Sequence, residues 1–325
     1  MSDKLAVLTF ISQQNQPVSM SDIKSAVSFS VAERTVRRWL VYAVKQGTII
    51  AEGQKRQRVY ICTQKGKGNK PFEFLQEKSE KQKGKILNQL RDNWTYNSVA
   101  MSGNSLSYKN TQQVLDKGLP IANKTIKDHQ AVIGHASAIE LIYRMLDRGV
   151  SKESIFELHR AVQSNIVFDN DKPCGAWKVE SNGTRVVGIN GKQFYLEYAH
   201  PSCVDTLMSK LIHYINEHNK FESYYDAIEA YAKIHIAIVH IHPFFGGNGQ
   251  VARLISNIPM LKAGLPPIII PIDMQEEYEL LISQYESKAG QLTADTDLWH
   301  APELFLDFER FCLLCYRKTK DLIGL

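Results

Sequence analysis

The stretch His240-Ile-His242-Pro-Phe-Phe-Gly-Gly-Asn-Gly-Gln-Val-Ala-Arg253 decides how this chain of 325 residues is interpreted. It connects an apolar, helix-forming run that ends at Ile241 to a second helix that we expect to begin near Gly249. The glycines between them let the backbone approach a ligand closely. Successive N–H groups can then point at phosphate oxygens beside a helix N-terminus. The segment therefore predicts an anion-binding site.

Two side chains add chemistry to this loop. His242 stands at its start, and an imidazole titrates in the range needed to accept a hydroxyl proton near neutral pH. Arg253 follows one turn into the second helix, from which its guanidinium can reach back to the same anion. A base, a phosphate-binding loop and a cation in one segment indicate phosphoryl or nucleotidyl transfer. We interpret His235 and His240, on the preceding helix, as core residues.

From about residue 86 onward the chain is patterned for helices. Apolar residues recur at helical spacing over 86–94, 109–117, 125–148, 151–163, 202–219, 224–241, 249–263, 274–290 and 302–320. The exception is 176–189, where β-forming runs flank Ser181-Asn182-Gly183, a typical hairpin turn. We therefore predict a mainly α-helical body that carries one β-hairpin.

The first 66 residues follow another pattern: three short helices and then two β-forming runs around Gly53. This is the order of a small winged helix-turn-helix domain, which we predict for 1–66, with 67–85 as a linker. The third helix carries side chains that could reach phosphates and base edges, and further basic residues lie at the wing tip. The predicted DNA-binding residues are Arg34, Thr35, Arg37, Arg38, Lys55 and Arg56.

The distribution of charge supports a polyanion partner for this N-terminal segment. The whole chain has a net charge of +5, yet residues 1–70 hold twelve Lys or Arg against four Asp or Glu, and the remainder is slightly acidic. We predict that the segment binds duplex DNA. A solvated basic face without a partner, and a winged helix that makes protein contacts, are the alternatives.

Composition places the chain among ordinary globular proteins. Its apolar fraction is 44% and its charged fraction 22%, values near the averages for folded domains. The five cysteines, an odd number spread along the chain, do not suggest a disulfide framework. No run approaches the ~20 apolar residues of a membrane span. We expect a cytoplasmic protein without a membrane partner, and we leave open whether it forms a homodimer.

The string HPFFGGNGQVAR, residues 242–253, resembles the signature of the Fic (filamentation induced by cyclic AMP) family, His-x-Phe-x-Asp/Glu-Gly-Asn-Gly-Arg-x-x-Arg. A second segment, Ser98-Val-Ala-Met-Ser102-Gly103-Asn104, is similar to the family's inhibitory-helix motif Ser/Thr-x-x-x-Glu-Gly/Asn. The resemblance implies a Fic domain over 86–290, with the inhibitory-helix-like segment at 98–104. Residues 291–325 would form a C-terminal helical extension.

The resemblance implies a protein adenylyltransferase that uses ATP and modifies a Ser, Thr or Tyr hydroxyl of a target protein. His242 would be the base, and Arg253 would hold the terminal phosphate. The hairpin would be a flap that docks the target by strand addition. The implied nucleotide-binding residues are Gly246, Gly247, Asn248, Gly249, Gln250 and Arg253, and the implied docking residues are Lys178, Val179, Val186 and Val187.

Three positions depart from the family pattern. Gly246 stands where the family has an acidic Mg²⁺ ligand, so Mg²⁺ would bind without a protein carboxylate, and we predict no metal site built from side chains. Gln250 stands where the family has its first Arg, and an amide supplies no charge. Ser102 stands where the family has its inhibitory Glu, so we expect Arg253 to be free rather than locked.

These departures leave two other functions open. A catalytically degenerate Fic domain could act as the nucleotide sensor of a DNA-binding transcriptional regulator. A Fic scaffold could instead transfer another group, such as phosphocholine, UMP or phosphate.

Overall fold

A computed structural model describes residues 3–14, 17–27, 31–45, 49–53, 58–62, 70–163, 173–187, 193–221, 223–301 and 305–325. These residues are mainly helical, as predicted, and the helical body carries a β-hairpin. The helices are α1 (Asp3–Gln13), α2 (Met20–Ala26), α3 (Glu33–Lys45), α4 (Glu80–Ala100), α5 (Tyr108–Lys117), α6 (Ile126–Arg148), α7 (Lys152–Val162), α8 (Pro201–Glu217), α9 (Tyr224–Ile241), α10 (Asn248–Ile255), α11 (Ile258–Lys262), α12 (Gln275–Ala289) and α13 (Phe305–Leu322). The strands are β1 (Val18–Ser19), β2 (Ile49–Glu52), β3 (Val59–Cys62), β4 (Gly183–Val187) and β5 (Gln193–Glu197).

Helix α9 is the central element of the body. Its sequence is apolar on all sides, and such a helix is stable only when other elements surround it. Helices α8, α10, α11, α12 and α13 all contact α9. Ser223 caps it, because its hydroxyl accepts the N–H of Asp226 while the Asp226 carboxylate accepts the N–H of Ser223. The cap and the packing fix the residue that follows α9, which is His242.

A second layer faces the short helix α10. Helix α6 packs against α4, α5 and α7, and α10 contacts α4, α6 and α7. Ser98 lies in the last turn of α4, and His159 lies in the last turn of α7. Both residues are therefore brought close to the start of α10. None of the helices in the described ranges is long and apolar enough to cross a membrane.

The N-terminal segment folds as three helices and a small antiparallel sheet. The strand order is β1-β3-β2, with Val18 opposite Tyr60 and Ile49 opposite Cys62. Helix α1 packs on α3 and β3, and it also contacts α9 of the body. The N-terminal core and the first turns of α9 thus belong to one hydrophobic cluster.

The hairpin of the body is present, but the predicted turn is in the wrong place. Strand β4 begins at Gly183 and pairs with β5, so that Gly183 lies opposite Glu197 and Val187 opposite Gln193. Asn182 therefore precedes the hairpin instead of turning it. Its side chain bonds the nearby Lys178 and the distant Phe244, and the long-range bond to Phe244 overrides the local turn preference of Asn-Gly.

Two other element boundaries differ from the prediction. Helix α4 begins at Glu80 and Leu75 is buried, so that the second part of the predicted linker packs on the body. The single helix predicted over 249–263 is two helices. Asn257 lies between them and bonds the backbone of Arg253 and Ile268, which turns the chain before α11.

Candidate functional site

The glycine loop, residues 243–247, joins the end of α9 to the start of α10. His242 ends α9 in the left-handed conformation (φ 52°, ψ 59°), and Gly247 (φ 76°) immediately precedes α10. The N–H groups of a first helical turn have no acceptor within their own helix. Those of Asn248, Gly249 and Gln250 therefore lie at the positive end of the α10 dipole, a position that favours an anion.

Asn248 holds the loop in shape. Its Oδ1 accepts the N–H of Phe244 at 2.9 Å, and its Nδ2 donates to the carbonyl oxygen of Phe244 at 2.8 Å. Asn182 adds a bond from its Nδ2 to the same carbonyl oxygen at 3.2 Å. Phe244 is fully buried in the core. The Asn248 side chain is thus engaged inside the loop, and its backbone N–H is the group left for a ligand.

The ring of His242 is oriented and electrically neutral. Its Nδ1 lies 3.2 Å from the carbonyl oxygen of Val239, which can only accept, so Nδ1 carries the proton and Nε2 the lone pair. Tyr198 stacks on the ring, with centroids 3.8 Å apart and planes within 6°. Burial lowers the pKa of His242 to about 4, and the nearby Lys178 also lowers it. At pH 7 the ring can therefore accept a proton.

Lys178 does not lie on the hairpin, contrary to the predicted docking role. Its side chain is only 2% exposed and donates from Nζ to Oδ1 of Asn182 at 2.7 Å. Burial lowers the pKa of Lys178 to about 8. The neighbouring Val179 is 61% exposed but also precedes β4. Of the predicted docking residues, only Val186 and Val187 lie in a strand, opposite Phe194 and Gln193.

Arg253 is held, and the expectation that it would be free is wrong. Its Nε donates to Oγ of Ser98 at 3.0 Å and its Nη2 to the carbonyl oxygen of Ser98 at 2.9 Å. The guanidinium is 5% exposed and lies against the ring of Tyr278. Its Nη1 lies 3.1 Å from the point that a Cβ on Gly249 would occupy. Ser98 thus binds one edge of the guanidinium, and Nη1 lies at the start of α10.

Ser102 and Gly103 lie in the turn that follows α4. The Ser102 hydroxyl donates to the carbonyl oxygen of Ser98 at 3.4 Å, within its own chain segment. Both residues line a cavity of about 560 Å³ between α4, α6, α7 and the glycine loop. Gly247 and Gln250 line the same cavity. Its volume suits a nucleotide-sized ligand.

Of the two departures in the glycine-loop motif, Gln250 lines this cavity and Gly246 lies next to its lining residue Gly247. A Cβ built on Gly246 would meet nothing within 4 Å, so the absent carboxylate is not excluded by crowding. Gln250 is buried, and its Oε1 has no hydrogen-bond partner within the part of the chain that the structure describes. Among the described residues, no group of three or more His, Cys, Asp or Glu side chains could hold a metal ion.

The sequence did not predict three residues outside the glycine loop whose side chains contact it. His159 stacks on Phe244 and bonds the carbonyl oxygen of Gly246. Asn182 bonds the loop as described above, and Gln163 lies against Gly247. The sequence assigns Asn182 only to a hairpin turn, and His159 and Gln163 belong to no motif. The one available signal was a histidine on the otherwise apolar face of α7. His235 and His240 are buried, as expected of core residues.

The predicted DNA-contacting residues of α3 face solvent. Arg34, Arg37 and Arg38 are exposed, and Thr35 is half-buried. Arg37 is paired, since its Nη2 lies 2.6 Å from Oε1 of Glu33. Glu33 also contacts Lys24. Lys55 and Arg56 lie outside the described residues.

Residues 149–260 match the model of the Fic/DOC family. The chain is 32% identical over 189 residues to protein adenylyltransferase fic-1 of Caenorhabditis briggsae, covering 57% of this chain and 34% of that protein. It is 28% identical over 229 residues to protein adenylyltransferase Fic of Drosophila virilis, covering 70% and 41%. The chain thus spans between a third and two fifths of the length of these curated relatives.

Solved structures share the fold. A Fic domain containing signaling protein from Bacteroides thetaiotaomicron superposes with a TM-score of 0.64 at 23% identity, covering 78% of this chain and 94% of that one. A point variant of Fic-1 (residues 134–508) from C. elegans superposes with a TM-score of 0.60 at 25% identity, covering 78% and 68%. The family match includes α9, the glycine loop and α10, and the structural neighbours share the helical body around them. This chain therefore contains a Fic domain.

Proposed function

We propose that the chain is a protein adenylyltransferase, which transfers AMP from ATP to a Ser, Thr or Tyr hydroxyl of a target protein. The observation that carries this proposal is the neutral ring of His242, with Nε2 unprotonated, at the mouth of a loop that ends in a helix N-terminus. The names of the curated relatives agree with it. We further propose that the Fic domain extends over 86–290.

The proposed reaction uses the chain's own groups as follows. The target hydroxyl gives its proton to Nε2 of His242 while its oxygen forms a bond to the α-phosphorus of ATP. The bond from that phosphorus to the β-phosphate oxygen breaks, and pyrophosphate leaves. Phosphate charge near His242 would raise the pKa of the ring from about 4 toward neutrality, which would strengthen it as a base.

The phosphates would lie on the start of α10. The backbone N–H groups of Asn248, Gly249 and Gln250 would bind their oxygens, and Nη1 of Arg253 would bind the terminal phosphate. Because Ser98 already orients Arg253, the guanidinium would bind the phosphate with little further loss of side-chain conformational entropy.

The residues present do not fit a protein-bound Mg²⁺. Gly246 offers no carboxylate, and Gln250 offers no charge. The metal, if used, would be held by the phosphates and water alone, so we assign it no step. We expect transfer to be slow for this reason.

The target would dock on the hairpin. Strands β4 and β5 pair with each other, and an extended target segment could add to a strand edge through main-chain hydrogen bonds. We propose Val186 and Val187 of β4 for this contact, without Lys178 and Val179.

A nucleotide sensor is the second candidate, favoured by Gly246 and Gln250. One experiment separates the two. Purified protein is incubated with α-labelled or γ-labelled ATP and with Mg²⁺ or Mn²⁺, beside the His242→Ala variant. Label on protein from α-labelled ATP alone, lost in the variant, supports AMP transfer. Label from γ-labelled ATP would indicate phosphate transfer. The same incubation is repeated with labelled UTP and labelled CDP-choline. If the protein binds ATP but takes up label from none of the three donors, the transferase proposal is rejected in favour of the nucleotide sensor.

We also propose that residues 1–66 form a winged helix-turn-helix domain that binds duplex DNA. The element order α1-β1-α2-α3-β2-β3, the sheet order and the exposed arginines of α3 support this. Binding should weaken with salt and should be lost when Arg34, Arg37 and Arg38 are changed to Ala. Unchanged affinity would mean that this segment has another partner.

A further inference from the structure

His159 contacts three parts of the chain at once. It lies in the last turn of α7, 2% exposed. Its ring stacks on Phe244, with centroids 3.8 Å apart and planes within 5°. The N–H of Gly175 donates to its Nδ1 at 2.9 Å, and its Nε2 lies 3.0 Å from the carbonyl oxygen of Gly246. The imidazole thus connects α7, the segment before the hairpin and the glycine loop.

These partners determine where the ring proton lies. A backbone N–H can only donate, so Nδ1 must carry the lone pair, and a carbonyl oxygen can only accept, so Nε2 must carry the proton. Both bonds therefore require the neutral Nε2–H form. Burial lowers the pKa of His159 to about 4, and the nearby Arg160 also lowers it. The ring is neutral throughout the physiological range.

The bond to Gly246 also fixes the next peptide group. A peptide group is planar and trans, so its C=O and N–H point in opposite directions. When the carbonyl oxygen of Gly246 is held toward His159, the N–H of Gly247 must point away from α7. Glycine has broad conformational freedom, and a loop with two adjacent glycines would otherwise rotate this plane at little cost.

We propose that His159 is a positioning residue of the anion site: it fixes the peptide plane between Gly246 and Gly247 and so presents the Gly247 N–H to a bound phosphate. This rests on the proposed function only in taking a nucleotide phosphate as the anion. A phenylalanine would keep the stacking on Phe244 and lose both hydrogen bonds, so packing alone does not account for the imidazole.

Two nearly isosteric variants separate the two bonds. In His159→Gln the amide nitrogen replaces Nε2 and can still donate to Gly246. In His159→Asn the amide oxygen replaces Nδ1 and can still accept from Gly175, but nothing reaches Gly246. Both lose the aromatic stacking, so a merely structural role predicts similar losses for the two. The proposal predicts that the Gly246–Gly247 peptide group stays oriented in His159→Gln and loses its orientation in His159→Asn.

The first measurement is the affinity for ATP and for pyrophosphate. We expect His159→Gln to bind within about threefold of wild type and His159→Asn to bind about tenfold more weakly. The unfolding midpoints of the two variants should be similar. Equal affinities in the two variants, whether both high or both low, would overturn the proposal.

The second measurement needs no nucleotide. In the ¹⁵N–¹H spectrum of the unliganded protein, the Gly247 amide should keep its wild-type shift in His159→Gln and move or broaden in His159→Asn. The Nε2–H resonance of His159 should be visible and protected in the wild type. If the wild type fails to bind ATP, the proposed function fails, and the Gly247 amide still decides whether His159 orients the loop. An unmoved amide in both variants would overturn the inference.

Discussion

Arg253 donates two hydrogen bonds to one residue, Ser98: Nε to its hydroxyl at 3.0 Å and Nη2 to its carbonyl oxygen at 2.9 Å. The two residues are 155 positions apart in the sequence. A buried guanidinium needs acceptors, and Ser98 supplies two while leaving Nη1 near Gly249. The last turn of α4 therefore orients the cation of the anion site.

Changing Ser98 to Ala should destabilise the fold. The variant leaves Nε of Arg253 buried without an acceptor, which costs about 1–3 kcal/mol in the free energy of unfolding. Denaturant titration measures this loss. The control is Ser102→Ala, whose hydroxyl bonds within its own chain segment and should cost less than about 0.5 kcal/mol. Equal losses in the two variants would show that the Ser98 hydroxyl does not hold Arg253.

Changing Gly246 to Asp should introduce a metal ligand. The backbone there is not left-handed and a Cβ meets nothing within 4 Å, so the carboxylate can be accommodated. We expect the proposed AMP transfer to rise by about tenfold or more and to depend more steeply on Mg²⁺. The comparison is Gly247→Asp, where φ is +76° and the Cβ would collide with Gln163. No gain in Gly246→Asp, at unchanged stability, would mean that the missing carboxylate does not limit the rate.

Buried histidines should make the protein sensitive to acid. Burial lowers the pKa of His235 from 6.5 to about 3, with a contribution from Arg253. Below pH 6.5 the unfolded chain takes up a proton that the folded chain excludes until about pH 3, so stability falls as the pH falls through this window. Between pH 6.5 and 5, we expect the free energy of unfolding of His235→Leu to fall by about 1–2 kcal/mol less than that of the wild type. Urea titrations of both proteins at pH 6.5 and pH 5 test this. Equal decreases in the free energy of unfolding of the wild type and the variant would contradict it.

Changing Glu33 to Gln should strengthen the proposed DNA binding. Glu33 pairs with Arg37 and with Lys24, and both would be released to contact phosphates. The slope of log affinity against log salt should become steeper by about one to two. The control is Glu52→Gln, which removes the same charge from the exposed end of β2 without releasing Arg37. Equal slopes in the two variants would show that net charge alone matters.

The sequence predicts those features that depend on neighbours along the chain. The apolar pattern of α9, the loop after it and the left-handed Gly247 all follow from local composition, and the motif indicates the family. The sequence also predicts the buried His235 and His240, because a helix that is apolar all round must be surrounded.

Features that depend on distant partners were not predictable. The Asn182-Gly183 pair suggests a turn, yet Asn182 precedes the hairpin and bonds Phe244, 62 positions away in the sequence. Arg253 is bonded by Ser98, whereas the motif assigns the contact with this arginine to the Glu position that Ser102 occupies. His159 has no sequence signal beyond its place on α7, since both of its hydrogen-bond partners are backbone groups, which any residue type could supply.

Helix α9 contributes to two hydrophobic clusters, that of the N-terminal segment and that of the helical body, and it therefore links the two. Its first turns pack with the N-terminal segment, and its last turns pack with the body and lead into His242. A helix of 18 residues spans about 27 Å, so α9 connects the surface that contacts α1 to His242 as a rigid element. If duplex DNA binds α3, the proposed nucleotide site lies at a fixed distance and orientation from the double helix, because α1 contacts both α3 and α9. Under the proposed function, the target proteins within range would then be those bound at a defined spacing along the same DNA.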